Sequence, residues 1–176
     1  MKVMQLLPEL NSGGVERGTL EIARALVTAG HESLVVSNGG RMVAQLEAEG
    51  STHLTLAIHK KALSSLWQIR PLRKLIEQHQ PDIVHVRSRV PAWLTHFALK
   101  GIPANKRPHL ISTVHGFYSI NRYSQIMTQA EKVIAVSDSV VKYITDNYKN
   151  CPTENIVRIY RGIDPAAFPH DYQPPA

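Results

Sequence analysis

The sequence predicts an α/β fold, a parallel sheet of about seven strands with helices on both faces. Three observations carry this. Apolar runs of four to six residues alternate with amphipathic stretches of 10–17 residues along nearly the whole chain. The runs are continuous and rich in Val, Ile and Leu, as in strands covered on both faces. Strand–helix repetition of this kind lays successive strands in parallel with crossover helices packed on the sheet.

The elements follow in order. Residues 3–7 form the first strand run, and Asn11-Ser12-Gly13-Gly14 turns the chain out of it. Residues 15–29 are the clearest helix: Leu20, Ile22, Ala23, Leu26 and Val27 share one side, and Gly30 stops it. Strand runs at 33–37 and 53–57 come next. Residues 60–79 read as one amphipathic helix at about 100° per residue. Leu66, Ile69, Leu72 and Ile76 make its apolar face, and Trp67, Arg70 and Lys74 form a neighbouring stripe. Pro71 either kinks this helix or lies in its first turn. Strand runs at 83–86, 110–114, 133–136 and 156–160 complete the sheet. Beyond Asp164 the chain is Pro-rich, with Pro165, Pro169, Pro174 and Pro175, and reads as a linker.

Composition bounds the class. The 176 residues are 43% hydrophobic and 19% charged, which suits one globular domain. The single cysteine, Cys151, excludes an internal disulfide and any thiolate cluster. No segment approaches the ~20 apolar residues of a membrane span. A soluble domain of a reducing compartment is expected. The net charge of +6 is not evenly spread. Residues 59–107 carry ten Lys and Arg against Glu77 and Asp82, a balance of +8, which leaves −2 for the rest. Charge gathered in this way predicts an anionic surface as partner. Nucleic acid suits it poorly: the window offers only Trp67, Trp93 and Phe97 as aromatics and no nucleic-acid motif.

In parallel sheets ligands bind where strand ends lead into helix starts. Gly13-Gly14 occupies such a position, where a phosphate or a plain tight turn would use the same glycines. Gly13 to Gly18 has P-loop spacing, but Thr19-Leu20 follows instead of Lys-Ser/Thr, and no G-x-G-x-x-G occurs. His115 ends a central strand, where it would orient a hydroxyl or simply bond within the sheet rim. Arg87 and Arg89 follow the fourth strand and Arg161 the seventh, with the side chain suited to carboxylate or phosphate. Ser137-Asp138-Ser139 reads as an ordinary N-cap. The histidines show no H-x-H or H-E-x-x-H pairing and no two aspartates stand two apart, so no metal site is expected.

Taken in order, these pieces resemble the N-terminal, Rossmann-like domain of a GT-B glycosyltransferase of the retaining family-4 type. Gly13-Gly14-Val15-Glu16-Arg17 resembles that family's Gly-Gly loop, and Pro81-Asp82-Ile83-Val84-His85 its fourth-strand signature. Thr113-Val114-His115-Gly116 resembles the strand that delivers a histidine into the cleft, and segments 133–137 and 157–164 its closing strands. The phrases at 13–18 and 87–93 look closest to bacterial members that extend lipopolysaccharide or other envelope glycans. Two departures stand out. Arg87 replaces the second histidine of His-x-His in many relatives, and Arg161 replaces an asparagine.

The resemblance implies transfer of a sugar from a nucleoside diphosphate sugar to an acceptor hydroxyl, with retention and without metal or other cofactor. It implies that Gly13 and Gly14 approach the phosphate or reacting sugar and that His115 touches the sugar. Glu16 and His115 are both conceivable as the catalytic base. Arg87, Ser88, Arg89 and Arg161 would bind an anionic glycan or lipid-linked acceptor. Trp67, Arg70 and Lys74 would contact an anionic membrane surface from the cytoplasmic side. The family's second domain carries glutamates eight apart, and none of the nine glutamates here are so spaced. Residues 1–166 are therefore expected to be the acceptor-side domain and 167–176 the start of an interdomain linker, inactive without the C-terminal nucleotide-sugar domain. A non-catalytic phosphate- or nucleotide-binding module is the alternative.

Overall fold

The computed structural model describes residues 1–162, so the end of the expected domain and the linker at 167–176 lie outside the described residues. Seven strands form one sheet: β1 (Lys2–Leu6), β2 (Glu32–Ser37), β3 (Thr52–Thr55), β4 (Ile83–Val86), β5 (His109–Val114), β6 (Lys132–Ala135) and β7 (Ile156–Arg158). Their order is β3-β2-β1-β4-β5-β6-β7 and every pairing is parallel. The helices are α1 (Gly14–Thr28), α2 (Val43–Ala48), α3 (Ile69–His79), α4 (Arg89–Lys100) and α5 (Asp138–Asn147).

This order has one reversal. The chain steps outward from β1 to β3, then returns past β1 to lay down β4 and the later strands on the other side. The loops after β1 and β4 therefore part in opposite directions and leave a crevice at the carboxyl ends of these two strands.

Strand alternation assigns the faces. Met4, Leu6, Leu34, Val36, Val84 and Val86 face one way, into a core with Leu72 and Ile76 of α3, Ala92, Leu94 and Ala98 of α4, and Val140 and Ile144 of α5. Leu7 and Val35 join a second core with Leu20 and Ala23 of α1 and Leu46 of α2. Near the sheet's centre polar side chains are buried as well. The Gln5 Nε2 donates to the Thr19 carbonyl of α1 at 3.2 Å, and His85 Nε2 lies 2.7 Å from Thr113 Oγ1.

Three expectations need correction. The edge strands are not covered on both faces: no residue of β3 is fully buried, and Val157 of β7 is exposed. Ile22 does not join the buried side of α1. The helix expected over 60–79 divides into a 3₁₀ segment, Leu63–Gln68, and α3. A 3₁₀ turn holds three residues, so the phase of α3 does not extend back to Leu66, which is exposed. Pro71 lies in the first turn of α3, where its missing N–H would have had no helical partner. Ser137 caps α5, its hydroxyl accepting from the Val140 N–H at 3.2 Å.

Candidate functional site

The crevice between β1 and β4 is built from two strand periodicities and one helix start. Gly13 is the N-cap of α1, and its φ of 150° falls in the range that favours glycine. A Cβ there would meet the carboxylate of Glu16, so this first-turn acid lies back over the positive end of the helix.

His85 and Arg87 are two residues apart at the end of β4, as are Thr113 and His115 at the end of β5. Arg87 is only 3% exposed. Its Nη1 donates to Gln5 Oε1 at 3.1 Å, its backbone N–H donates to the Leu6 carbonyl, and its Nε has no partner among the described residues. Arg161, exposed beyond β7, comes to the same place. A Cβ on Gly18 would sit 3.1 Å from an Nη of each arginine, and one on Gly14 would sit 2.7 Å from Arg161 Nη1. The glycines of α1 thus let two guanidinium groups lie against its backbone.

The electrostatics follow. Burial and then Arg161 push the Arg87 guanidinium down to about 10, with Glu21 and Glu16 acting in the opposite direction. It is cationic at neutral pH. Burial, Arg87 and Arg161 push the His115 imidazole down to about 3, and neither of its ring nitrogens has a partner among the described residues. Burial, Arg87 and His115 likewise bring His85 to about 3. Gly18, Glu21, Arg87, His115, Tyr160 and Arg161 line a cavity of about 190 Å³. Two converging cations beside an unpartnered, neutral imidazole, with the Glu21 carboxylate in the same wall, make a place for an oxyanion carrying hydroxyl groups.

Of the residues singled out in the sequence, Gly14, Arg87, His115 and Arg161 come together here, with Gly13 and Glu16 at the adjoining helix start. Ser88 is the N-cap of α4 and makes no side-chain capping bond. Arg89 does not line this cavity: its Nη1 donates to Ser124 Oγ at 3.2 Å and its guanidinium lies over the Tyr118 and Tyr123 rings at 4.9 and 5.5 Å. Trp67, Arg70 and Lys74 are exposed on the α3 side of the sheet, outside the cavity. Gln5 is the member that sequence reasoning passed over, and Gly18 and His85 entered it only through an unmatched P-loop spacing and the fourth-strand signature, not as site residues. The alternations His85/Arg87 and Thr113/His115 and the four-residue step from Gly14 to Gly18 were the available signals.

The parallel sheet with this crevice defines a Rossmann-like domain of the kind that forms the N-terminal half of GT-B enzymes. Glycosyltransferase Family 4 matches residues 12–167, and the chain belongs to that family. Among solved structures, a glycosyltransferase from Rickettsia africae ESF-5 is 32% identical, with a TM-score of 0.81 over 98% of this chain and 46% of that one. Anabaena Alr3699/HepE, solved with UDP and glucose, is 20% identical, with a TM-score of 0.72 over 96% of this chain and 46% of its own. The lipopolysaccharide outer core galactosyltransferase WaaB is 15% identical, with a TM-score of 0.71 over 93% and 46%. The latter two establish the fold alone. The chain spans about half the length of these structures. No curated protein matches it significantly.

Proposed function

We propose that this chain supplies the acceptor-side half of a retaining transferase, moving a sugar from a nucleoside diphosphate sugar to a hydroxyl of an anionic cell-envelope glycan or lipid. The observation that carries this is the buried Arg87, unpartnered at Nε among the described residues and set against Arg161 across Gly18. Departure of a nucleoside diphosphate builds negative charge. The free N–H groups at the start of α1, beside Gly13 and Gly14, stabilise such charge without calling on a metal. His115 meets the sugar as a neutral donor or acceptor. Glu16, the carboxylate beside the same helix start, takes the role of base. Arg87 and Arg161 hold the acid group of the acceptor, with Ser88 and Arg89 at the start of α4 on that side.

Turnover belongs to the two-domain enzyme, and this half alone binds without transferring. Among the described residues no helix is long and apolar enough to cross a membrane. The exposed Trp67, Arg70 and Lys74 instead touch an anionic bilayer from its cytoplasmic face.

Titrating inorganic pyrophosphate into the protein while following the His115 ring by NMR tests the site. A saturable shift is expected, weakened in Arg87→Gln by roughly ten- to a hundredfold, the loss of one charge-assisted bond of about 1.5–3 kcal/mol. Absence of binding, or equal binding by the variant, removes the reading. A non-catalytic phosphate-binding module would pass this titration. Sugar transfer to isolated membranes by the full natural enzyme, lost in the same variant, separates the two.

A further inference from the structure

On the α3–α4 side of the sheet, a groove of about 370 Å³ opens between the 3₁₀ segment and the first turns of α4. That volume is within the roughly 300–1,000 Å³ of small-molecule sites. Leu66, Val90, Trp93, Leu94, Phe97 and Tyr123 form its walls. Its polar edges are already satisfied: Trp93 Nε1 donates to the Tyr123 carbonyl at 3.0 Å, and the Trp93 ring stacks on Phe97 and Tyr123. What the groove offers is hydrocarbon. Leu63, which lines it, is 86% exposed, and the neighbouring Trp67 is 80% exposed. Large apolar side chains gathered in the open mark a contact site rather than chance exposure.

The charge around this groove has one sign. Lys60 and Lys61 line it, and the Lys61 ammonium sits 4.3 Å above the Tyr123 ring. Arg89 lies over another part of the same ring, and it begins α4 two residues after Arg87. An apolar trough flanked by two lysines therefore runs to the first turn of α4, on the face of the sheet opposite α1. An apolar chain with an acidic head matches that sequence of surfaces.

We infer that this groove holds the hydrocarbon chain of the acceptor, which makes the acceptor a lipid phosphate or lipid diphosphate. The inference rests on the transferase reading above and names its acceptor class. Lys60 and Lys61 draw the phosphate head in by charge, Leu66 and Phe97 grip the chain, and Trp67 stands at the rim beside the bilayer.

Trp93 reports occupancy directly. In the protein carrying Trp67→Phe it is the sole tryptophan, and a tail-brominated undecyl phosphate, added below its micellar concentration, is expected to quench it saturably. Leu66→Asp, at an exposed position, is expected to raise the half-saturation concentration about tenfold. A Lys60→Ala/Lys61→Ala double variant is expected to raise it about fivefold at low salt and less at high salt. Four results overturn the inference. One is no saturable quenching, and another is equal affinity for brominated undecanol. The third is quenching only when anionic vesicles are present, which would mean surface contact. The fourth is unchanged affinity in both the Leu66→Asp and lysine variants with circular dichroism intact. Pyrophosphate binding in the same sample separates the two claims. If it persists without quenching, only the lipid assignment falls. If it is lost while quenching holds, the oxyanion site falls.

Discussion

Burial and neighbouring cations hold both His85 and His115 near a pKa of 3 in the folded protein, whereas an unfolded chain protonates histidine near 6.5. Between those values the unfolded state binds more protons, so stability rises with pH and falls on acidification below about 6.5. Urea denaturation at pH 7 and pH 5 is expected to show this, with a slope of up to about 1.4 kcal/mol per pH unit for each histidine. His85→Gln is expected to flatten the slope. Arg87→Gln removes a cation felt by both rings and is expected to raise the His115 titration toward its ordinary value. A bound phosphate acts in the same direction. Gly18→Ala separates fold from site. Alanine favours the helix by up to about 1 kcal/mol, yet its methyl would stand 3.1 Å from both guanidinium groups. Thermal stability is expected to be kept while pyrophosphate affinity, read by calorimetry, falls about fivefold or more.

At the scale of elements, α5 is the one α-helix among the described residues with a side-chain cap. Neither α1 nor α4, which flank the crevice, has a side-chain cap, whereas α5, further along the sheet, is capped by Ser137. Ser137→Ala is expected to cost about 1 kcal/mol in denaturant melts and to leave pyrophosphate binding unchanged. A loss of binding there would mean that the cap reaches the site. Sequence patterning read the central strands within a residue or two because continuous Val and Ile runs have few other uses. The 60–79 stretch was misread because a 3₁₀ segment carries apolar residues at nearly helical spacing, and nothing local separates three residues per turn from 3.6. The exposed Leu66 looked like core for the same reason. It became legible as a groove wall only once α4 and Tyr123 were set opposite it.

For the whole molecule, the strand–helix alternation was enough to give the fold class, but not the strand order. Adjacency of Arg87, Gly18 and Arg161 depends on that order, since these residues are separated by most of the chain. His115 and the Gly-Gly turn were visible as single candidates. Their convergence on one cavity was not. If the cavity takes an anion, saturation must stabilise the entire domain. At a hundred times the dissociation constant, pyrophosphate adds about 2.7 kcal/mol, which is roughly 5–10 °C in melting temperature for a chain of this size. Scanning calorimetry with and without pyrophosphate checks this, and Arg87→Gln, binding ten- to a hundredfold more weakly, is expected to cut the gain at the same concentration to about 0.4–1.4 kcal/mol. The two guanidinium groups also differ in mounting. Arg87 is fastened to a central strand by its own backbone and by Gln5, whereas Arg161 rides on chain that has already left β7. An anion gripped by both is therefore a rivet between the rigid middle of the sheet and the segment just past β7, and its binding is expected to hold Arg161 against the start of α1.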